Sequence, residues 1–186
     1  MDTDQDPRIE RSRRVILEAV LEELGAVGYG PLTIEAVAAR AGVGKSTIYR
    51  HWKGKLALVE DAFRTLKAPV LVPDTGTLRE RVIAVLAQVA GLVEESTYSA
   101  CMPALIDAAE RDPQVREFHC RFSTERRAVL VDVLRDSMAT GELPADTNAE
   151  LLADALVGPI VLRRIMLYEP FDPALVPDLV DQVLPA

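Results

Sequence analysis

Apolar residues recur along most of the chain at intervals of three and four, the spacing that collects side chains on one face of an α-helix. Ile16, Val20, Leu24 and Val27 form the first such stripe, opened by Asp6 with Pro7 and stopped by Gly28. Ile34, Val37, Ala38 and Ala41 form the second, with Thr33 as N-cap and Gly42 as terminator. A short third helix is predicted from near Gly44, and a fourth from about Lys55 to Lys67. The stretch "APVLVPDTGT" then breaks the period with two prolines and a glycine, so the domain boundary is placed there. Val70 to Val72, caught between those prolines, reads as linker rather than strand.

Beyond the boundary the same signals return. Thr77 and Glu80 have capping-box spacing and open a helix to about Glu95, and Thr147 with Glu150 repeat that spacing. Helices are predicted over 100–111 and, opened by Asp112 and Pro113, over 113–140 with Gly141 as stop. Pro159 interrupts "LLADALVGPIVLRRIML" and is expected to kink it, and a last helix follows Asp172. With no convincing period-two run and no internal repeat, the fold class is all-α: an N-terminal three-helix domain at 8–68, then a larger helical domain at 78–186.

Composition narrows the partners. No apolar run approaches the roughly 18 residues of a membrane span, and "MDTDQDPRIERSRR" lacks the apolar core of a secretory signal, so a soluble cytoplasmic protein is expected. The net charge of -8 is unevenly distributed: residues 1–68 hold 11 basic against 10 acidic side chains, and 69–186 hold 10 against 19. Within 8–53 the balance is 8 basic to 5 acidic, so a polyanion would be met there and repelled elsewhere.

Residues 39–46, "ARAGVGKS", fit a relaxed P-loop pattern. A P-loop must spring from a buried strand, however, and the preceding "LTIEAVAARAGV" has helical period and a helix cap. The same letters fit the turn and second helix of a helix-turn-helix, spanning about 33–52. Ile48 and Trp52, at i and i+4, can then pack inward. Ser46, Tyr49, Arg50 and Lys53, at i, i+3, i+4 and i+7, share the outer face, where two cations, a hydroxyl and a phenol suit base edges and phosphates.

The segment "TIEAVAARAGVGKSTIYRHWKGK" closely resembles the DNA-binding segment of TetR-type transcriptional regulators, matching at Thr33, Ala41, Gly42, Val43, Thr47, Ile48, Tyr49, His51, Trp52 and Lys55. The resemblance implies a homodimeric repressor that sets two recognition helices in successive major grooves of a double-stranded operator and is released by a small effector. It assigns Thr33, Lys45, Tyr49, His51 and Lys55 to phosphates or to ordering the helix, and Ser46, Thr47 and Arg50 to the neighbourhood of the bases. Arg50 is best equipped to read guanine bidentately. An architectural or cell-cycle DNA-binding factor of the same fold, without an effector, is the alternative.

Other candidate chemistry is sparse. Cys101, His119 and Cys120 invite a metal reading, but His119 and Cys120 are helix neighbours pointing about 100° apart, so buried thiols are the expectation. No catalytic constellation stands out, so neither an enzyme nor a cofactor is expected. Arg126-Arg127 and Arg163-Arg164 read as salt-bridged surface or dimer edge. Helices over 148–168 and 173–184 carry more apolar residues (Leu151, Leu156, Ile160, Val161, Val176 and Val180 among them) than one core-facing stripe requires, which suggests a homodimer contact. The family resemblance, with Leu86, Met102, Leu105, Phe118 and Phe122 as lining, suggests a pocket for a small apolar effector.

Overall fold

The computed structural model describes residues 7–66 and 70–184. Asp6, proposed above as a cap, and Lys67, the expected end of the fourth helix, lie outside the described residues. Regular structure among them is entirely helical: α1 (Pro7–Val27), α2 (Ile34–Ala41), α3 (Lys45–His51), α4 (Lys55–Thr65), α5 (Leu78–Glu94), α6 (Ser96–Arg111), α7 (Pro113–Thr140), α8 (Ala149–Leu162) and α9 (Val176–Val183). A π turn, Arg163–Leu167, follows α8, and a 3-10 turn, Pro173–Leu175, precedes α9. None of the described helices is long and apolar enough to cross a membrane.

Two compact units result, one from the described residues of 1–68 together with 100–119, the other from those of 69–99 together with 120–184. In the first, α1 packs on α2 and α4, and α2 on α3. Ile16, Val20, Leu24, Val37, Ile48, Leu58 and Phe63 fill the core, whereas Val27 is exposed, so the α1 stripe ends one turn earlier than its period suggests. Residues from α6 and α7 complete this core. A Cβ on Gly25 would stand 3.0 Å from that of Ala100, the Cys101 thiol donates to the Leu21 carbonyl at 3.2 Å, and Phe63 meets Phe118 edge-on with ring centroids 5.7 Å apart. Burial pushes the Cys101 thiol up to about 11, which keeps it protonated and unreactive at neutral pH.

In the second unit α5, α8 and α9 pack on one another around Val82, Leu86, Leu130, Leu134, Leu156, Ile160 and Val180. The Thr77–Glu80 capping box forms as its spacing predicts: Glu80 donates its backbone N–H to Thr77 Oγ1, and Glu80 Oε2 accepts from the Thr77 N–H. The second expected box does not. Asn148 caps α8, its Oδ1 accepting from the Leu151 N–H at 3.0 Å, while Glu150 is drawn to Arg135 at 2.9 Å. Residues 70–72 form no strand, but Leu71 is held to α5 by two hydrogen bonds with the Gln88 amide, at 2.8 and 2.7 Å. Helix α8 continues through Pro159 and changes at Arg163 into the π turn, which Tyr168 ends in the left-handed region at φ 55.

Candidate nucleic-acid interface

The helix-turn-helix is built by local rules. Thr33 Oγ1 accepts from the Ala36 N–H at 3.1 Å and starts α2, and Gly42 ends it at φ 66, a conformation costly for a residue with a Cβ. The chain re-enters helix within three residues. Ile48 is fully buried and Trp52, just past the end of α3, nearly so. These two anchors turn the opposite face of α3 outward: Lys45, Ser46, Tyr49, Arg50 and His51 are exposed and Thr47 is half-buried, whereas Lys53, expected at i+7 on that face, is exposed but lies past the end of α3, in the bend that follows the extended Trp52.

The charges on that face are not equally free. Lys45 is paired with Glu35 at 3.0 Å, and this hydrogen bond holds the Glu35 carboxyl below its ordinary range. A phosphate would have to displace that partner. Arg50 and Lys53 form no ion pair among the described residues, so their charges remain available to an incoming polyanion. Arg50 and His51 also border a groove of about 360 Å³ with Thr47, Ile9 and Ser12. The start of α1 therefore flanks the recognition face, which no spacing within 33–55 reveals.

Lys55 is placed differently from the rest. Its ammonium donates to the carbonyls of Tyr29 at 2.8 Å and Gly30 at 3.2 Å and lies 4.3 Å from the Tyr29 ring centroid. Burial lowers the Lys55 pKa, with the charge of Asp112 opposing. The residue ties the α1–α2 loop to the start of α4.

A second linkage has no counterpart in the sequence pattern. The Asp61 carboxylate receives both a two-pronged hydrogen bond from Arg13 (2.9 and 2.7 Å) and the Trp52 indole N–H (2.9 Å). It thus joins α1, the end of α3 and α4 beneath the recognition face. Its only sequence signal is a lone Asp on the apolar side of α4.

Of the predicted effector-pocket residues, all five are buried. Met102, Leu105 and Phe118 belong to the first unit, and Leu86 and Phe122 to the second. Among the described residues no cluster of three or more His, Cys, Asp or Glu could hold a metal ion. Cys120 is exposed and His119 half-buried, its pKa lowered by burial.

A capped helix, a glycine turn and a buried-anchored second helix with a cationic outer face define a helix-turn-helix DNA-binding protein. Residues 16–62 match the model of the bacterial regulatory proteins of the tetR family, and residues 72–183 match that of the tetracyclin repressor-like C-terminal domain. The chain belongs to the TetR family of transcriptional regulators. It is 30% identical over 176 residues to the uncharacterized HTH-type transcriptional regulator YdeS of Bacillus subtilis, covering 94% of this chain and 88% of that one. It is also 30% identical over 183 residues to the DNA-binding transcriptional repressor TetR of Mycobacteroides abscessus, covering 95% and 94%. The crystal structure of the TetR family transcription regulator SCO0332 superposes with a TM-score of 0.66 at 32% identity, covering 94% of this chain and all of that one.

Proposed function

We propose that the protein is a ligand-responsive repressor that binds a pseudo-palindromic operator as a homodimer, with residues 8–68 as its DNA-binding domain and 78–186 carrying regulation and dimerisation. The observation that carries the DNA-binding part is the outward face of Ser46, Tyr49 and Arg50 on α3, fixed by the buried Ile48 and Trp52 and followed by the exposed Lys53. Repression as the sign of regulation is supported by the similarity to a protein named as a repressor. Dimerisation is supported by an apolar strip left exposed on the second unit, where Leu151, Leu162, Met166 and Leu167 all face outward. A two-fold contact would give the recognition helices the symmetry that a palindrome demands.

Thr33, Lys45, Tyr49 and His51 serve the phosphates or order α3 in this reading, and Ser46, Thr47 and Arg50 lie nearest the bases. Lys55 acts through the Tyr29–Gly30 loop that its ammonium already holds. The small apolar effector is received in the C-terminal domain, 78–186, and it must bind one dimer shape better than the other, since equal affinity shifts nothing.

Selecting bound fragments from a random DNA pool tests the proposal. A palindrome with half-sites about one helical turn apart is expected; an asymmetric or sequence-independent pool would sink it. On the selected duplex, Arg50→Ala should cost about 1–3 kcal/mol, concentrated at one base pair per half-site. Lys53→Ala should weaken all sequences alike and reduce the salt slope by roughly one unit. Competition between the wild-type operator and single-base variants separates the two, and uniform weakening by both changes would make Arg50 a phosphate contact.

A further inference from the structure

The second unit contains two tandem arginine pairs, Arg126-Arg127 and Arg163-Arg164, both expected from the sequence to be salt-bridged or dimer-edge. The structure splits each pair. Arg127 grips Asp154 with a fork of 2.6 and 3.0 Å, and Arg163 approaches Glu169 at 3.9 Å. Arg126 and Arg164, by contrast, have no carboxylate within ion-pair distance among the described residues. Arg126 is half-buried, with its guanidinium carbon 5.8 Å from the Tyr98 ring centroid and 5.6 Å from that of Phe122. Arg164 donates to Ser99 Oγ at 2.8 Å.

Tyr98 and Ser99 are neighbours in the first turn of α6, and each of these two residues is met by a cation from a different element. Tyr98 is half-buried as well, and its hydroxyl makes no hydrogen bond among the described residues. Every polar group brought together here can donate, and none is an anion. A desolvated cation without a counter-charge is costly, and Arg126 shows it: burial lowers its pKa, with only the Tyr98 phenol opposing. Burial also raises the Tyr98 phenol, which keeps its O–H a donor at neutral pH. Arg164 sits moreover in the π turn, an irregularity that recurs at functional sites.

We propose that Arg126, Arg164 and the Tyr98 hydroxyl form the anion-reading end of the effector site, and that the effector is a monocarboxylate with an apolar body. The planar fork of a guanidinium matches a carboxylate bidentately, and the Tyr98 and Phe122 rings supply apolar surface beside it. This rests on the reading of the protein as ligand-responsive, and it replaces the expectation of an uncharged apolar ligand with that of an apolar body carrying one negative charge. The acidic balance of this half of the chain acts through a field screened within about 8 Å at physiological salt. Local donors decide what binds in contact.

The test uses the full chain and its selected operator with four probes: decanoate, decanol, benzoate and methyl benzoate. Melting temperature and operator release are measured for wild type, Arg126→Gln, Arg164→Gln and Arg126→Lys, each against its own ligand-free state. At least one carboxylate should raise the melting temperature and release the DNA, with its neutral counterpart about ten-fold weaker or more. Each Gln variant should weaken that acid about ten- to a hundred-fold, and Arg126→Lys less, because an ammonium keeps the charge but loses the fork. If Arg126→Gln loses its helical circular dichroism, Arg164→Gln carries the test. Equal binding of acid and neutral compound, unchanged in the Gln variants, would overturn the anion assignment while leaving the effector reading intact. Binding by none of the four overturns the assignment and removes its support from the effector reading too. Dissociation of the Gln variants into monomers would assign both arginines to carboxylates of a second copy instead.

Discussion

Asp61→Ala is expected to destabilise the first unit by about 3 kcal/mol and to weaken operator binding along with it. The side chain of Asp61 is only 12% exposed and its oxygens serve Arg13 and Trp52 together. Removing it strands the indole N–H beside a fully buried Ile48, a cost of about 1–3 kcal/mol. It also strands the Arg13 cation, whose side chain is 41% exposed and can partly rehydrate, so the penalty falls short of that for a deeply buried pair. The melting temperature of this unit should drop by roughly 10 °C or more. Because Trp52 fixes the end of α3, the recognition face loses its support even before the unit melts.

The same carboxylate makes stability acid-sensitive in a defined direction. Burial by itself would raise its pKa, but hydrogen bonds from Trp52 and Arg13 and the Arg13 charge outweigh it and hold the carboxyl below its ordinary value. A lowered folded-state pKa contributes stability that is fully present above the unfolded value of about 4 and is lost as pH falls through the folded one. Asp61→Asn keeps an acceptor for Trp52 but no charge, so it should cost roughly 1–2 kcal/mol at neutral pH and flatten the acid limb. Trp52 is the only tryptophan in the sequence, so its fluorescence follows the junction directly during an acid titration. Coincident acid midpoints for wild type and Asp61→Asn would remove Asp61 from this role.

Why the recognition face was legible while its support was not follows from where the information lies. Thr33, Gly42, Ile48 and Trp52 act over one or two helical turns, so caps, a glycine stop and i, i+4 spacing disclose them. The Arg13–Asp61 contact spans 48 residues and the Lys55 contacts to the carbonyls of 29 and 30 about half that. No periodicity encodes such pairings. Competition between neighbouring caps is similarly invisible: Thr147–Glu150 has the right spacing, yet Asn148 presents a better acceptor one residue on and Arg135 holds Glu150 elsewhere. The packing of 100–119 with the first unit escapes a linear reading because α6 and α7 contribute to both units and no turn residue marks the change. The arginine pairs show the same limit, since adjacent identical side chains on a helix point about 100° apart and meet unrelated surroundings.

Leu162→Glu is expected to dissociate the homodimer and with it most of the operator affinity. Among the apolar residues of α8 and α9, Leu156, Ile160, Val176 and Val180 are buried in their own unit, so they are not available to a partner. What remains outward is narrower: Leu151, Ala155, Gly158 and Leu162 lie at i, i+4, i+7 and i+11 on α8, Val161 is exposed next to Leu162, and Met166, Leu167 and Tyr168 continue through the π turn and its end. Nothing lies within 4 Å of where a Cβ on Gly158 would stand, which leaves room for a second helix to approach closely. In an isologous contact the substitution enters twice, setting a carboxylate from each copy into a desolvated apolar seam, so the dimer should weaken on the order of a hundred- to a thousand-fold. Two half-sites then bind independently, and operator affinity should fall by about 10²–10⁴ as the effective concentration of the second site is lost. Single half-site binding should survive with a smaller salt slope, because α3 is untouched. Leu71→Glu, another exposed leucine of the same unit outside this strip, is the control and should remain dimeric. Light scattering reads the outcome directly: twice 20.4 kDa for wild type and Leu71→Glu, and 20.4 kDa for Leu162→Glu. A Leu162→Glu protein that keeps the dimer mass would move the interface elsewhere, and a monomeric wild type would remove the homodimer altogether.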